Sequence, residues 1–332
     1  MRIGVAGAGR VGAMHAAHLA RMSTVEELVL FDPVPGRAGQ VAGGLGARVA
    51  DDLDALLAAC DGVLVATPTV THPEVVRRAL AAGVPALCEK PIARSYAEMH
   101  ALVADIEASD VAVVVGFQRR FDPAMVDLRR RVRSGEVGTV YLVRSAGQDA
   151  QPPDFGYLPV SGGIFHDLLI HDLDAVPWLV GEPVVEVYAA GSVLVHDAFA
   201  DADDVDNCVA TLTFAGGAHA LLSGGRHNGA GYDHRLEVFG SRESLAVGVD
   251  AHTPLRSLEP DVPAPVDPYP GFPERFRRAY ENEMAVFVDV VAGRVANPSP
   301  ARESLVSQRL ADACDASRRG GAPVRLTEAV PA

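Results

Sequence analysis

The sequence predicts an α/β protein in which an N-terminal domain with a doubly wound parallel sheet precedes an α+β domain built on a large, mostly antiparallel open sheet. The first third alternates continuous apolar runs with helical segments, a glycine-rich turn follows the first run, and later runs alternate apolar with polar residues. Continuous apolar runs are typical of parallel strands covered on both faces, and alternation is typical of strands with one open face. The chain has 332 residues, which favours two domains.

The N-terminal sheet is predicted from five short apolar strands with helix signals between them. Pro73 stands at a first helical position, Gly83 closes that helix, and Ser95 and Glu98 form a capping box. Asp52 begins a further helix. Strands that alternate with helices in this way build a doubly wound sheet. The predicted strands cover residues 3–6, 28–31, 62–66, 86–89 and 111–115.

A dinucleotide-binding turn is predicted where the first strand ends. Gly7, Gly9 and Gly12 form a G-x-G-x-x-G between a strand and a helix, and Asp32 ends the second strand 20 residues after Gly12. The glycines permit a tight turn, close approach of a pyrophosphate and close helix–strand packing, while Asp32 accepts hydrogen bonds from ribose hydroxyls. The alternatives are a glycine-rich turn without a ligand and an Asp that only shapes the turn before Pro33.

The acidic residue at the end of the second strand predicts NAD as the cofactor, because a carboxylate repels the 2′-phosphate of NADP. Arg37 follows five residues later and leaves two interpretations open. Its side chain either lies on the adenine or partly tolerates a 2′-phosphate.

The carboxyl ends of parallel strands form the ligand crevice of such a sheet. Thr67, Pro68 and His72 follow the third apolar segment, and the Glu89–Lys90–Pro91 turn comes at the end of the next one. These residues are therefore expected to converge on one edge of the sheet.

Lys90 is the single lysine among the 29 basic residues of the chain. Arginine can replace lysine at positions that need only a positive charge, but its guanidinium is planar, bulky and never deprotonates in practice. The sequence therefore predicts that Lys90 serves where a compact ammonium is required. The alternative is a surface lysine retained by chance.

Asp167 and His171 stand four residues apart in an apolar segment, which predicts that they share one helix face, with Asp174 one turn further. Buried Asp and His side chains need partners. A self-satisfied core pair is one alternative. A metal site is another, although it requires a third ligand and no H-x-x-x-H spacing accompanies the pair.

A polar loop at residues 226–233, which contains Tyr232, lies between two predicted strands and is suited to contact a hydroxylated ligand. An ordinary glycine-rich connection is the alternative interpretation. The strands around it are predicted at residues 207–214, 218–223, 235–239 and 245–249.

The composition argues against several classes of partner. The net charge of −14 and the lack of an extended basic cluster disfavour nucleic acid and anionic membranes. The four scattered cysteines indicate a reducing compartment and no structural zinc. With no signal peptide and no long apolar run, a cytoplasmic protein is expected.

These motifs together resemble the Gfo/Idh/MocA oxidoreductase family over essentially the whole chain, and within it the inositol 2-dehydrogenases. The resemblance implies an NAD-binding Rossmann domain at residues 1–118 and a substrate-binding and oligomerisation domain at residues 119–332, whose open sheet forms a homodimer or homotetramer. The motifs that carry it are GAGRVG at 7–12, CEKP at 88–91, GFQRRFD at 116–122, SGGIFHDLLIHD at 161–172 and GYDHRLEVFG at 231–240.

The resemblance also implies a site. The catalytic set is Lys90, Asp167 and His171, and no metal is expected. The cofactor contacts are Gly7, Gly9, Arg10, Val11, Gly12, Asp32, Arg37, Thr67, Pro68, His72, Glu89 and Lys90. The substrate contacts are Gln118, Arg119, Asp149, Asp167, His171 and Tyr232. The chain departs from the inositol dehydrogenases at Gln118 and at Gln148, where Met or Asn and Arg are usual.

The implied reaction is NAD-dependent oxidation of a secondary alcohol in a cyclic polyol, first of all myo-inositol to 2-keto-myo-inositol. Another inositol isomer, a sugar or a specialised cyclitol is the alternative substrate. A protein that binds NAD(H) as a sensor or regulatory subunit, without catalysis, is the alternative of a different class.

Lys90→Arg should lower kcat by roughly a hundredfold, the scale of losing one donor to a developing oxyanion. The guanidinium keeps the charge but spreads it over a larger plane and crowds the reacting oxygen. Steady-state kinetics test this, with NADH affinity and thermal unfolding as controls that should stay unchanged. Near-native turnover would show that Lys90 is only a leftover cation.

Overall fold

The computed structural model describes the backbone of residues 1–330 and the side chains of residues 1–326. The chain forms two compact units, one of residues 1–122 with 278–305 and the other of residues 123–277 with the chain from Val306 onwards. The sequence-based division at 118/119 left the whole C-terminal part in the second domain. The units differ from that division because residues 278–305 return to the first one.

The strands and helices of residues 1–330 follow the predicted order with several additions. The strands are β1 Arg2–Ala6, β2 Glu27–Phe31, β3 Arg48–Val49, β4 Gly62–Val65, β5 Ala86–Glu89, β6 Val113–Gly116, β7 Val140–Gln148, β8 Val184–Ser192, β9 Asn207–Phe214, β10 His219–Gly225, β11 Asp233–Gly240, β12 Ser244–Val247 and β13 Val324–Val330. The helices are α1 Arg10–Leu19, α2 Arg37–Leu45, α3 Leu53–Ala59, α4 His72–Ala81, α5 Tyr96–Glu107, α6 Pro123–Arg133, α7 Leu158–Ser161, α8 Ile164–Asp167, α9 Ile170–Val180, α10 Ala198–Asp201, α11 Phe272–Arg275, α12 Arg277–Val291 and α13 Ala301–Gly320.

The first unit contains the predicted doubly wound parallel sheet, in the order β3-β2-β1-β4-β5-β6. The predicted caps are present. The Asp52 carboxylate accepts from the Ala55 amide at 2.7 Å, and the Ser95 hydroxyl accepts from the Glu98 amide at 3.2 Å. Because these caps satisfy amides that a helix start leaves unbonded, α3 and α5 begin where the sequence predicts.

Helix α12 explains why the chain returns to the first unit. Its buried Met284, Phe287 and Val288 join the same apolar core as Leu64 of β4 and Leu87 of β5. The spacing of these α12 residues places them on one helix face. Sequence spacing identifies that face but not the sheet on which it packs.

The second unit is built on a sheet in the order β12-β11-β7-β10-β9-β8-β13, in which β7 and β10 are parallel and the other pairs antiparallel. One face packs on α6, α9 and α13 around an apolar core. The other face carries large exposed side chains, among them Tyr141, Tyr188, Val209 and Leu221. The prediction of a mostly antiparallel sheet with one open face is therefore confirmed.

The segment with Asp167 and His171 differs from its prediction. One continuous helix was expected, but α8 ends at Asp167 and α9 begins at Ile170, so the prediction that Asp167 and His171 belong to one regular helix was wrong. The Leu169 amide donates to the Ile164 carbonyl at 2.8 Å, five residues back, which interrupts the regular pattern. Leu169 is fully buried, and a Cβ on Gly224 of β10 would meet Leu168 at 2.9 Å, so both leucines turn into the core.

Three of the strands described above were not predicted from the sequence, namely β3, β8 and β13. Phe276, whose ring is buried, separates α11 from α12. Among residues 1–330, no helix combines the length and the apolar character needed to cross a bilayer.

Candidate active site

The glycine turn after β1 is closely packed on its inner side and open on its outer side. A Cβ on Gly12 would lie 1.9 Å from the Gly7 carbonyl oxygen, and one on Gly7, whose φ is +97°, would lie 2.5 Å from the Ala66 oxygen. Gly9 is the N-cap of α1, and a Cβ there would meet nothing within 4 Å. The start of α1 therefore borders open space, and a helix N-terminus in such a place is suited to bind a pyrophosphate. Arg10 and Val11 occupy the first turn of α1.

Asp32 is buried and bonded to the glycine turn. Its carboxylate accepts from the Ala8 amide at 2.8 Å and from the Val34 amide at 2.9 Å. The Arg37 guanidinium, about half exposed, donates to the same carboxylate at 3.3 Å. The carboxylate thus stands beside the phosphate turn, where ribose hydroxyls bind in this type of fold. The open side of the glycine turn and the nearby Asp32 carboxylate together fit a dinucleotide.

His72 joins the two turns at the carboxyl ends of β4 and β5. Its Nε2 lies 2.8 Å from the Thr67 carbonyl oxygen, and its Nδ1 lies 2.9 Å from the Pro91 carbonyl oxygen. Burial lowers the pKa of this imidazole despite the two carbonyl groups that favour its charged form. A neutral ring has one N–H, so only one carbonyl accepts a hydrogen bond at a time. Its immediate role is to hold these turns together.

Lys90, partly buried, follows β5 directly and begins the turn that His72 holds, with a cis peptide bond to Pro91. Pro68 is exposed beside Thr67 on the neighbouring turn. The convergence of these residues on the sheet edge matches the sequence-based prediction. Glu89 differs in surroundings, because its carboxylate lies 2.6 Å from Nε2 of the buried His15.

Gln118 and Arg119 lie in a buried 3-10 turn of four residues after β6. The next residue, Arg120, pairs with Glu303 of α13, in the same unit. This turn is therefore anchored, and the predicted substrate role of Gln118 and Arg119 stays a prediction.

In the second unit, two predicted site carboxylates share one buried guanidinium. Nη1 of Arg226 lies 2.9 Å from the Asp167 carboxylate and 3.5 Å from that of Asp149. Asp149 follows β7 and Arg226 follows β10, and these strands are parallel neighbours whose last residues pair. The Tyr157 hydroxyl also donates to Asp167 at 3.1 Å. The fold therefore unites Asp149 and Asp167 in one charged group.

Arg226 is the residue that sequence reasoning missed. Its side chain is 2% exposed. Burial opposes its charged form, but the carboxylates of Asp167 and Asp149 outweigh burial and raise the pKa of the guanidinium. The available signal was its position directly after a strand, as the first residue of the polar loop.

Nε and Nη2 of Arg226 find no hydrogen-bond acceptor within residues 1–326. A buried guanidinium with unused donors is costly unless a ligand or water completes its bonding. The site therefore offers donors as well as carboxylate acceptors.

The remaining predicted substrate residues have different surroundings. His171 lies partly buried in the first turn of α9. The adjacent Asp172 is buried and accepts from the Ser145 hydroxyl at 2.5 Å. Tyr232 is mostly buried, and its ring meets that of Phe276 edge-on, with centroids 6.4 Å apart.

Comparison with known families identifies both parts of the chain. Residues 1–117 match the oxidoreductase family with an NAD-binding Rossmann fold, and residues 125–246 match the GFO/IDH/MocA C-terminal domain. The chain belongs to the Gfo/Idh/MocA oxidoreductase family. This confirms the predicted family, fold class, oxidoreductase activity and NAD as cofactor.

Similar members of this family cover nearly the whole chain. Myo-inositol dehydrogenase Hyg17 of Streptomyces leeuwenhoekii is 38% identical over 97% of this chain and 98% of its own. The scyllo-inositol 2-dehydrogenase (NAD(+)) of Bacillus subtilis (strain 168) is 32% identical over 98% of this chain and 96% of its own. The crystal structure of a myo-inositol dehydrogenase from Corynebacterium glutamicum ATCC 13032 has a TM-score of 0.89 and 34% identity, covering 99% of both chains.

Asp32→Ala should narrow the preference for NAD over NADP, because it removes the charge that repels a 2′-phosphate. Activity with NAD should also fall, since the Ala8 amide loses its acceptor. Measurement of kcat/KM with both cofactors tests this. An NADP preference in the unmodified enzyme would contradict the assignment and give Arg37 a phosphate-binding role.

Arg226→Leu should destabilise the protein by about 3 kcal/mol and strongly reduce activity, because it leaves two carboxylates without their counter-charge. Arg226→Lys, which keeps a charge, should lie between Leu and the native residue. Chemical denaturation measures the free energy of unfolding. Arg325→Leu is the matched control, since its exposed pair with Glu186 should contribute at most about 1 kcal/mol. Equal losses of unfolding free energy in the two Leu variants would show that the buried Arg226 group contributes no more stability than an exposed ion pair.

Proposed function

We propose that this oxidoreductase oxidises a secondary alcohol of an inositol, first of all myo-inositol to 2-keto-myo-inositol. The supporting observation is the 38% identity to a myo-inositol dehydrogenase over 97% of this chain. The relative named as a scyllo-inositol 2-dehydrogenase makes scyllo-inositol the second candidate.

The charged group in the second unit supports a polyol substrate. Asp149 and Asp167 supply carboxylate acceptors, and Arg226 supplies buried donors. A hydroxyl group both donates and accepts, so such a set suits several hydroxyls on one ring. A ligand with only apolar groups would leave these charges unsatisfied.

The proposed chemistry divides proton handling among three side chains. NAD, when bound, accepts the hydride from the substrate carbon. His171 removes the hydroxyl proton as general base, a role suited to imidazole because it titrates near neutral pH. Lys90 donates a hydrogen bond to the same oxygen and stabilises its developing negative charge. Asp167, held by Arg226 and Tyr157, orients the substrate.

We further propose a homo-oligomer formed through the open face of the second unit's sheet. A hollow of about 540 Å³ on this sheet is lined by Tyr188, Val209, Leu221 and other residues. Exposed apolar side chains on one face indicate an interface more often than a monomer surface. Sedimentation equilibrium tests for a dimer or tetramer, and a monomer at micromolar concentration would contradict it.

A cytoplasmic location is proposed as well. The four cysteines are free and buried, as expected in a reducing compartment. Cell fractionation tests this, and recovery in a secreted or membrane fraction would contradict it.

The substrate assignment is tested by following NAD reduction with myo-inositol, scyllo-inositol, the chiro-inositols and common hexoses. Myo-inositol should give the highest kcat/KM, because the supporting relative carries that name. If a hexose or another sugar reduces NAD and no inositol does, the alternative substrate class replaces the proposal. If nothing in the panel reduces NAD but NADH binds, the sensor alternative gains support.

His171→Ala should remove most of kcat together with the part of the pH profile that rises towards neutral pH, because the general base is lost. Asp167→Asn should lower kcat while NADH affinity stays nearly unchanged. Rates across a pH series and NADH fluorescence titrations provide the measurements. Near-native kcat in His171→Ala would show that another group is the base.

A further inference from the structure

A buried group of three titratable side chains lies behind the lysine turn, within the first unit. It consists of Glu89 at the end of β5, His15 on α1 and Glu283 on α12. One ligating atom of each lies within 4.8 Å of the others, and the His15–Glu89 contact measures 2.6 Å. The side chains of His15 and Glu283 are fully buried. Helix α1, the strand that leads into the lysine turn and helix α12 therefore meet at this group.

Of the three side chains, Glu283 combines complete burial with the fewest polar contacts. Neither of its carboxyl oxygens has a hydrogen-bond partner within residues 1–326. Burial, and then repulsion from Glu89, raise the pKa of its carboxyl well above the ordinary range. This environment therefore favours the protonated, uncharged form of the carboxyl.

Glu89 is partly buried, with its side chain 15% exposed, and it packs closely against neighbouring backbone. A Cβ on Gly116 of β6 would lie 3.2 Å from its carboxylate, and the Tyr280 ring of α12 meets His15 edge-on at 5.5 Å. The charge of Glu89 also acts on His72 of α4 and Cys88 of β5, both of which are buried. With so little room, one arrangement of the carboxylate is favoured.

We propose that His15 and Glu283 are positioning residues that fix the Glu89 carboxylate and, through the adjoining peptide, the turn that presents Lys90. His15 ties this carboxylate to α1, which begins at the phosphate turn. Glu283, in its protonated form, packs beside the carboxylate without adding a second negative charge. The inference rests on the proposed function of Lys90 as the donor to the reacting oxygen.

The single lysine makes a direct test possible without substrate. An amine-reactive acylating reagent modifies only Lys90 and the N-terminal amine of Met1. The labelling rate of Lys90 relative to Met1, read by mass spectrometry, therefore reports the surroundings of Lys90. The variants are His15→Phe, Glu89→Gln, Glu283→Leu and Glu283→Gln. The matched control is Glu281→Gln, an exposed acid on the same helix.

His15→Phe, Glu89→Gln and Glu283→Leu should change the relative labelling rate of Lys90 at least threefold. They should also lower kcat tenfold or more, the scale of a small misplacement of a catalytic group, roughly up to a hundredfold. The Kd of NADH should stay within about twofold in His15→Phe and Glu283→Leu, because the phosphate-turn amides are unchanged. Glu283→Gln should be near-native, since its amide is uncharged and has nearly the same shape as the protonated carboxyl. Native labelling and native kcat in His15→Phe and Glu89→Gln would overturn the proposal.

Stability against pH tests the neutral state of Glu283 separately. A carboxyl whose pKa is raised on folding contributes stability that is fully present below its ordinary value, 4.5, and is lost as pH rises towards the raised value. As pH rises above about 4.5, the native enzyme should therefore lose more Tm than Glu283→Gln does. Equal losses would show that Glu283 is ionised and overturn this part of the proposal.

Two further outcomes distinguish positioning of the Lys90 turn from metal binding and from the proposed polyol oxidation. Stoichiometric zinc or manganese in the purified enzyme, removed by a chelator with a change in Lys90 labelling, would replace the proposal with a metal site. If no polyol reduces NAD, the labelling and the Tm series still decide the positioning claim. The proposed function then fails alone.

Discussion

The close approach of β1, its glycine turn and α1 is the constraint on which the first unit depends. A side chain at Gly12 would collide with the Gly7 carbonyl, so the helix lies as near to the strand as backbone atoms allow. This position brings Asp32 to the Ala8 amide and His15 to Glu89. The same packing therefore shapes the dinucleotide site on one side and supports the lysine turn on the other.

In the second unit, the main constraint is the balance of charge around the buried Arg226. A guanidinium as deeply buried as that of Arg226 is unfavourable without counter-charges, and Asp167 and Asp149 provide them. The parallel pairing of β7 and β10 places Asp149 and Arg226 side by side. The orientation of the acceptor groups is thus set by an ion pair, and the polyol chemistry proposed for this unit depends on it.

Local patterns predicted the first unit well. The glycine turn, the caps at Asp52 and Ser95 and the parallel strands all depend on residues close in sequence, and each is present. The segment around Asp167 shows the limit of such reasoning. Four-residue spacing indicates a shared helix face only in an unbroken helix, and packing of Leu168 and Leu169 against β10 interrupts this one.

The sequence by itself determined the family, the fold class, the cofactor turn and the identity of the candidate catalytic residues, because motifs and strand periods are local properties. Only the tertiary structure decided the partners of those residues. His15 and Glu89 are 74 residues apart, Arg226 lies in a loop that signals nothing about its carboxylates, and α12 returns to a sheet formed much earlier in the chain. Hydrogen bonds and burial join residues by their positions in space, and no spacing along the chain specifies which distant surfaces meet.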